Sequence, residues 1–243
     1  MPSSEEYYEE GINYHEEGKY KEAVEYFDKA IELDNTQLKY YNARGISKNS
    51  LEEYEEAIKD YDKAIELDPN NSSVYNNRGN SRSYLKQYEE SIEDYNKAIE
   101  LDPNDSTAYY NRGNSKTDLK QYEEAIKDYD KAIELDPNNS HAYINRGNSK
   151  ADLKQYEESI EDYNKAIELD PNDSTAYYNR GISKADLKRY EESIEDYNKA
   201  IELDPNDSSI YNNRSVSKFN LCQYEEAIKD YKKSLELKNN SIV

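Results

Sequence analysis

The chain has 243 residues, 35% apolar and 35% charged, and a formal net charge of −21. A mean hydropathy of −1.27 sits on the side of disorder, but 27 tyrosines supply aromatic surface that a core can use. Strong acidity argues against a nucleic-acid partner, because binding a polyphosphate needs a basic face.

In chain order, the first stretch is MPSSEEYYEEG, acidic and without an apolar run. No signal peptide is expected from it. No stretch approaches the ~20 apolar residues of a membrane span, so the expectation is a soluble, cytoplasmic protein with no membrane contact. The single cysteine, Cys222, permits no intrachain disulfide and reads as a small half-buried side chain near the end rather than a nucleophile.

The string ELDP then recurs, ending at Pro69, Pro103, Pro137, Pro171 and Pro205, each 34 residues after the last. Extending that register both ways gives seven units: 4–37, 38–71, 72–105, 106–139, 140–173, 174–207 and 208–241. Unit 106–139 predicts two helices. Tyr109, Gly113 and Leu119 mark the first. Tyr122, Ala125, Ile126, Tyr129, Ala132, Ile133 and Leu135 mark the second, with the i, i+3, i+4, i+7 spacing of one buried face. Lys120-Gln121 is a polar turn, and Glu123 and Glu124 suit the start of the second helix. Asp136-Pro137 stops it, and Asn138, Asn139 and Ser140 offer caps for the next first helix. The end units depart from this pattern. The first has Asn35 for proline and Glu10 for arginine; the last has Ser215 for glycine, Ser234 for alanine and Asn239 for proline. Units starting at 38 and 106 share EEAIKDYDKAIELDPNNS, and those at 72 and 140 share EESIEDYNKAIELDPND, which points to duplication of a two-unit block.

This pattern resembles the tetratricopeptide repeat family. Its early aromatic matches Tyr7, Tyr41, Tyr75, Tyr109, Tyr143, Tyr177 and Tyr211, and its small first-helix residue matches Gly11, Gly45, Gly79, Gly113, Gly147 and Gly181. The resemblance covers essentially the whole chain. It implies an all-α, right-handed superhelical α-solenoid forming a single domain over 1–243, with first helices on the concave surface and second helices on the convex one. Many members of the family carry an extra capping helix at the C-terminal end; here the last second helix either faces water or docks against something.

Units two to seven each carry an arginine (Arg44, Arg78, Arg112, Arg146, Arg180, Arg214) and a cation four residues on (Lys48, Arg82, Lys116, Lys150, Lys184, Lys218). Each also has an aspartate in the second helix: Asp60, Asp94, Asp128, Asp162, Asp196 or Asp230. Unit one lacks all three and has Glu10, Tyr14 and Tyr26. Their joint loss points to a helix-to-helix ion pair, because an unpaired half-buried arginine is costly. The alternative is a cationic stripe that reads acidic ligands.

On the first helices, which the resemblance makes the groove, Asn77, Asn111, Asn145, Asn179 and Asn213 form one row and Asn80, Asn114 and Asn148 another. An asparagine amide matches the donor and acceptor of a peptide bond. A ladder of them suits an extended chain held by its backbone; the alternative is that they serve only solubility. The ladder resembles that in the repeat domain of the transferase that adds N-acetylglucosamine to Ser and Thr. Beside it, Tyr110, Tyr178, Ile144, Ile182 and Val216 suit shallow apolar pockets. Glu5, Glu9, Glu16, Asp118, Asp152 and Asp186 against Lys39 make the face mildly acidic, favouring neutral or basic segments.

A carboxylate clamp of the family's co-chaperone type is not expected, because the interior cation places hold Ser73, Asn76, Thr107, Tyr110, Asn111, His141, Ile144 and Asn145. His15 and His141 lie far apart, and no metal cluster, nucleophile elbow or phosphate loop appears. The sequence therefore predicts a scaffold that is not an enzyme, needs no cofactor or metal, and binds a protein or peptide. A weak homo-oligomer through the C-terminal end is the second reading.

Overall fold

The computed structural model describes residues 2–240, and their only regular structure is α-helix. In chain order the helices are α1 (Ser4–Glu16), α2 (Tyr20–Leu33), α3 (Leu38–Ser50), α4 (Tyr54–Leu67), α5 (Ser72–Tyr84), α6 (Tyr88–Leu101) and α7 (Ser106–Asp118). Then come α8 (Tyr122–Leu135), α9 (Ser140–Asp152), α10 (Tyr156–Leu169), α11 (Ser174–Asp186), α12 (Tyr190–Leu203), α13 (Ser208–Asn220) and α14 (Tyr224–Asn240). Two compact units divide the chain, residues 1–121 and 122–243.

Six of the seven first helices start where a short polar side chain caps them; at α3 the N-cap Gln37 makes no such bond. Ser3 Oγ accepts from the Glu6 N–H at 3.2 Å while the Glu6 carboxylate accepts from the Ser3 N–H at 2.6 Å, a capping box. Asn71, Asp105, Asn139, Asp173 and Asp207 each accept a backbone N–H at the starts of α5, α7, α9, α11 and α13. Leu119 stands just past α7 as its C-cap, one place beyond the helix it marks in the sequence pattern.

Between the helices of each hairpin the chain enters the left-handed region. Gly18 does so at φ 76°, and Glu52, Lys86, Lys120, Lys154, Lys188 and Cys222 at φ 59–61°. A non-glycine residue there costs roughly 1–2 kcal/mol. Cys222 is exposed on this turn, not half-buried, because the side chain at this register points away from the hairpin core.

In unit 1–121, α1/α2, α3/α4 and α5/α6 are antiparallel hairpins, each packed on the next first helix, with α7 against α6. Unit 122–243 repeats the arrangement with α8 against α9 and the hairpins α9/α10, α11/α12 and α13/α14. The core between paired helices depends on glycine. A Cβ on Gly45 would lie 2.6 Å from Tyr61 Cε1, and one on Gly181 would lie 2.6 Å from Tyr197 Cε1. Tyr61, Tyr95, Tyr163 and Tyr197 are at most 1% exposed as a result. Burying a side chain of that size stabilises by about 1.5–3 kcal/mol. Burial also pushes each of their phenol pKa values far up.

Within each unit, neighbouring first helices approach one another: α1 with α3, α3 with α5, α5 with α7, and α9 with α11, α11 with α13. Among the described residues of each unit, second helices approach only first helices. The first helices therefore form the tighter, inner row. In the hairpin α13/α14 Ser215 replaces the glycine, and Tyr231 stands 51% exposed at the register of Tyr197.

Candidate peptide-binding groove

The arginines at the repeated register are structural. In unit 1–121, Arg44 Nε donates to Asp60 at 2.9 Å and Arg78 Nε to Asp94 at 3.0 Å. In unit 122–243, Arg146, Arg180 and Arg214 donate through Nε to Asp162, Asp196 and Asp230 at 3.0, 3.0 and 2.7 Å. Each aspartate also takes the second cation: Lys48, Arg82, Lys150, Lys184 and Lys218 lie 2.7–2.8 Å away. Each guanidinium lies over the tyrosine three residues before it, as Arg44 does over Tyr41 at 5.7 Å.

Each of these arginines also has a third partner, outside the repeated Arg–Asp pattern. Nη1 of Arg44, Arg78 and Arg146 reaches Asp28, Asp62 and Asp130 on the preceding second helix. Arg112, Arg180 and Arg214 reach Asn96, Asn164 and Asn198 at the same register. The signal was present as an oxygen-bearing side chain, Asp or Asn, sixteen places before each arginine. In unit one, where the pair is absent, Tyr14 and Tyr26 meet at 5.0 Å instead. The arginines are thus spent on joining three helices.

Burial opposes the charged guanidinium at Arg44, Arg78 and Arg146, yet their aspartates hold the pKa above the ordinary arginine value. At Asp94 burial pushes the carboxyl up and outweighs the pull of Arg78 and Arg82. At Asp230 burial is outweighed by Arg214 and Lys218, and the carboxyl sits below the usual range.

Every predicted asparagine lies half-buried on a first helix: Asn77 and Asn80 on α5, Asn111 and Asn114 on α7, Asn145 and Asn148 on α9, Asn179 on α11 and Asn213 on α13. Many of them bond across repeats. Asn77 Nδ2 donates to Asn42 Oδ1 at 3.1 Å, and Asn111 Nδ2 donates to Asn76 Oδ1 at 3.2 Å and Asn80 Oδ1 at 2.9 Å. In unit 122–243, Asn179 Nδ2 donates to Asn148 Oδ1 at 2.9 Å and Asn213 Nδ2 to the Tyr178 hydroxyl at 3.0 Å. The buried tyrosines anchor these rungs from behind: Tyr95 donates to Asn80 Oδ1 and Tyr163 to Asn148 Oδ1, both at 2.8 Å. Asn114, Asn145 and Tyr110 are engaged as well. Asn42 and Asn76, absent from the predicted set, complete rungs in the first unit.

Two cavities occupy the same register in different units. One of about 440 Å³ lies beside Asn80, Tyr84, Lys86, Asn111 and Asp118. Another of about 310 Å³ is bounded by Ile182, Asp186, Asn213, Val216 and Asn220. Ile182 and Val216 thus line a pocket as expected, whereas Ile144 is 5% exposed and belongs to the core. Lys39 does not stand alone on the acidic first-helix face; it pairs with Glu5 at 2.6 Å, which lowers the Glu5 pKa.

No described helix is long and apolar enough to cross a membrane. Family models described as tetratricopeptide repeat match residues 4–37, 72–105, 106–139, 128–161, 174–207 and 196–229, and one described as TPR repeat matches 47–83 and 147–188. No curated protein matches the chain. Among solved structures, a tetratricopeptide repeat protein from Parabacteroides merdae is similar at 22% identity and a TM-score of 0.74, over 96% of this chain and 93% of that one. YrrB, described as a TPR protein with an unusual peptide-binding site, is similar at 28% identity and 0.63, over 74% and 92%. MamA from Desulfovibrio magneticus is similar at 23% identity and 0.66, over 70% and 96%.

Proposed function

The chain belongs to the tetratricopeptide repeat family, and we propose that it is a non-catalytic scaffold or adaptor that holds an extended peptide against its first helices. On this reading the seven repeats act as one array, and the asparagine rows grip the ligand backbone. One observation carries the reading. The amides are held in fixed orientation by one another and by buried tyrosine hydroxyls, as Asn111, Asn80 and Tyr95 are. Pre-oriented amides bind a backbone without the entropy cost of ordering themselves. The likeness to YrrB, a protein described as having a peptide-binding site, supports the same reading. Capture of partners from an extract of the source organism tests it, with Asn111→Ala, Asn145→Ala and Asn179→Ala combined as the control. If the folded triple variant retrieves the same partners as the parent, the ladder does not bind.

A second reading rests on the last hairpin. Val216, Phe219, Ile228, Tyr231 and Leu235 are 44–62% exposed there, and a second copy is the occupant this face suits. Lys232 stands where earlier second helices offer an oxygen to the next arginine, and Glu10 stands where that arginine would be. Stacking end to start would therefore set Glu10 against Lys232. It ranks second because Glu6 holds the register of Ile210, which is 1% exposed, and would have to be buried. Sedimentation of the parent against Phe219→Ser and Ile228→Ser tests it; a parent that stays monomeric at high concentration removes it.

A further inference from the structure

Unit three breaks the repeat at one inner-row position. Tyr84 stands where the following units have Asp118, Asp152 and Asp186. Its ring stacks on Tyr54, with centroids 4.9 Å apart and planes 14° from parallel, yet the residue remains 66% exposed. Tyr54 thus covers one ring face and leaves the other open, and Tyr84 lines the cavity of about 440 Å³.

The other walls of that cavity are restricted in what they can present. Asn111 gives its amide hydrogens to Asn76 and Asn80, so the atom left for a ligand is its Oδ1, an acceptor. Asp118 forms no ion pair or hydrogen bond among the described residues. Partial desolvation raises its carboxyl pKa and no neighbouring cation pulls it back. An open aromatic face, a carboxylate without a counter-ion and an amide oxygen converge on one cavity. A planar cation with several donors and no acceptor satisfies all three at once.

We propose that this cavity is a specificity pocket for an arginine side chain of the bound peptide. The guanidinium lies on Tyr84 and donates to Asp118 and Asn111 Oδ1. Asn80, whose Oδ1 already accepts from Asn111 and Tyr95, has its amide hydrogens left for a ligand carbonyl. Lys86 at the rim carries the same charge as the ligand and disfavours binding at low ionic strength. The pocket at the equivalent place in the second unit, with Ile182 and Val216 and no aromatic in the place of Tyr84, lacks this chemistry. The inference rests on the proposed peptide-binding role of the first helices and adds a side-chain preference to it.

The test uses the full chain, isotopically labelled, titrated with N-acetyl-arginine amide, N-acetyl-leucine amide and N-acetyl-glutamate amide while backbone amide shifts are followed. The expected result is saturable shifts around Tyr84, Asn111 and Asp118 for the arginine probe only. Tyr84→Ser should weaken that binding about two- to fivefold, the worth of an exposed cation–π contact, and Asp118→Asn should weaken it further. Lys86→Asn, which tolerates the left-handed turn, should tighten it. Absent shifts, equal shifts from all three probes, indifference to Tyr84→Ser, or weaker binding in Lys86→Asn would each overturn the pocket. The probe reports on this cavity alone. A failure here leaves the asparagine ladder standing, and unchanged partner capture by the asparagine variant overturns the ladder whatever the probe does.

Discussion

Arg146 and Asp162 face each other across the α9/α10 hairpin, with Arg146 Nε and Nη2 donating to the two carboxylate oxygens at 3.0 and 2.5 Å. Asp162 is 5% exposed by its side chain and also takes Lys150 at 2.7 Å. Removing the two partners therefore has unequal consequences. Asp162→Leu takes the buried carboxylate from Lys150 and leaves Arg146 only the exposed Asp130, and should cost about 3–5 kcal/mol. Arg146→Leu leaves Asp162 neutralised by Lys150 and should cost less, about 1–3 kcal/mol. Urea unfolding of both singles and the double checks this, the double being no worse than Asp162→Leu. Additive losses would show that the residues do not act together.

Gly79 is fixed by the ring it faces. An added Cβ would lie 2.7 Å from Tyr95 Cε1, and Tyr95 is 1% exposed and cannot retreat. Gly79→Ala should cost roughly 1–3 kcal/mol by overpacking. Gly18 is the contrast. Nothing lies within 4 Å of its Cβ position, but its φ is 76°, so Gly18→Ala should cost only the left-handed strain of about 1–2 kcal/mol. Restoring room separates the two causes: Tyr95→Leu should reduce the penalty of Gly79→Ala and leave that of Gly18→Ala unchanged in thermal unfolding.

Acid should weaken the fold from the carboxyl groups held low. Asp230 lies below its ordinary value of 3.8 because Arg214 and Lys218 outweigh its burial. The exposed Glu6 and the half-buried Asp34 are lowered by hydrogen bonds from Ser3 and from Thr36 and Gln37, respectively. A carboxyl whose folded pKa is depressed contributes stability that is present above its unfolded pKa and lost as pH falls through the folded one. Stability measured by urea unfolding should therefore drop as pH falls below about 4. In Asp230→Asn the part of that slope due to this residue should vanish. An unchanged slope in the variant would show that Arg214 and Lys218 do not hold the carboxylate low.

The periodic features of the fold were legible in the sequence and the singular ones were not. The 34-residue register places helix ends to within a residue or so, because proline, capping side chains and one apolar face per helix recur in step. The arginine–aspartate pairing was legible for a different reason: unit one loses Arg, cation and Asp together and fills the space with Tyr14 and Tyr26. The preceding-helix partners of the arginines were missed, although Asp and Asn at that register both carry the needed oxygen. The exposure of Cys222 was not legible, because it sits on a tight turn at φ 61° and sequence spacing does not report a left-handed φ. The state of the asparagines was also hidden. Sequence position says that Asn80 and Asn111 share a face, but not that one amide is spent on the other. Tyr84 escaped because a single aromatic among repeats reads as noise until its stacking on Tyr54 is seen.

The central claim is that the asparagine rows hold an extended peptide by its backbone. Selection of the full chain against a displayed library of unstructured peptides tests it most directly, comparing the parent with the combined Asn111→Ala, Asn145→Ala and Asn179→Ala variant. Because Asn111 and Asn179 also bond across repeats, circular dichroism must first show that the variant remains helical and folded at the selection temperature. The account predicts that the parent enriches extended peptides and that the folded variant binds the same peptides at least about tenfold more weakly, roughly 1.4 kcal/mol. A folded variant that binds them as tightly as the parent contradicts it.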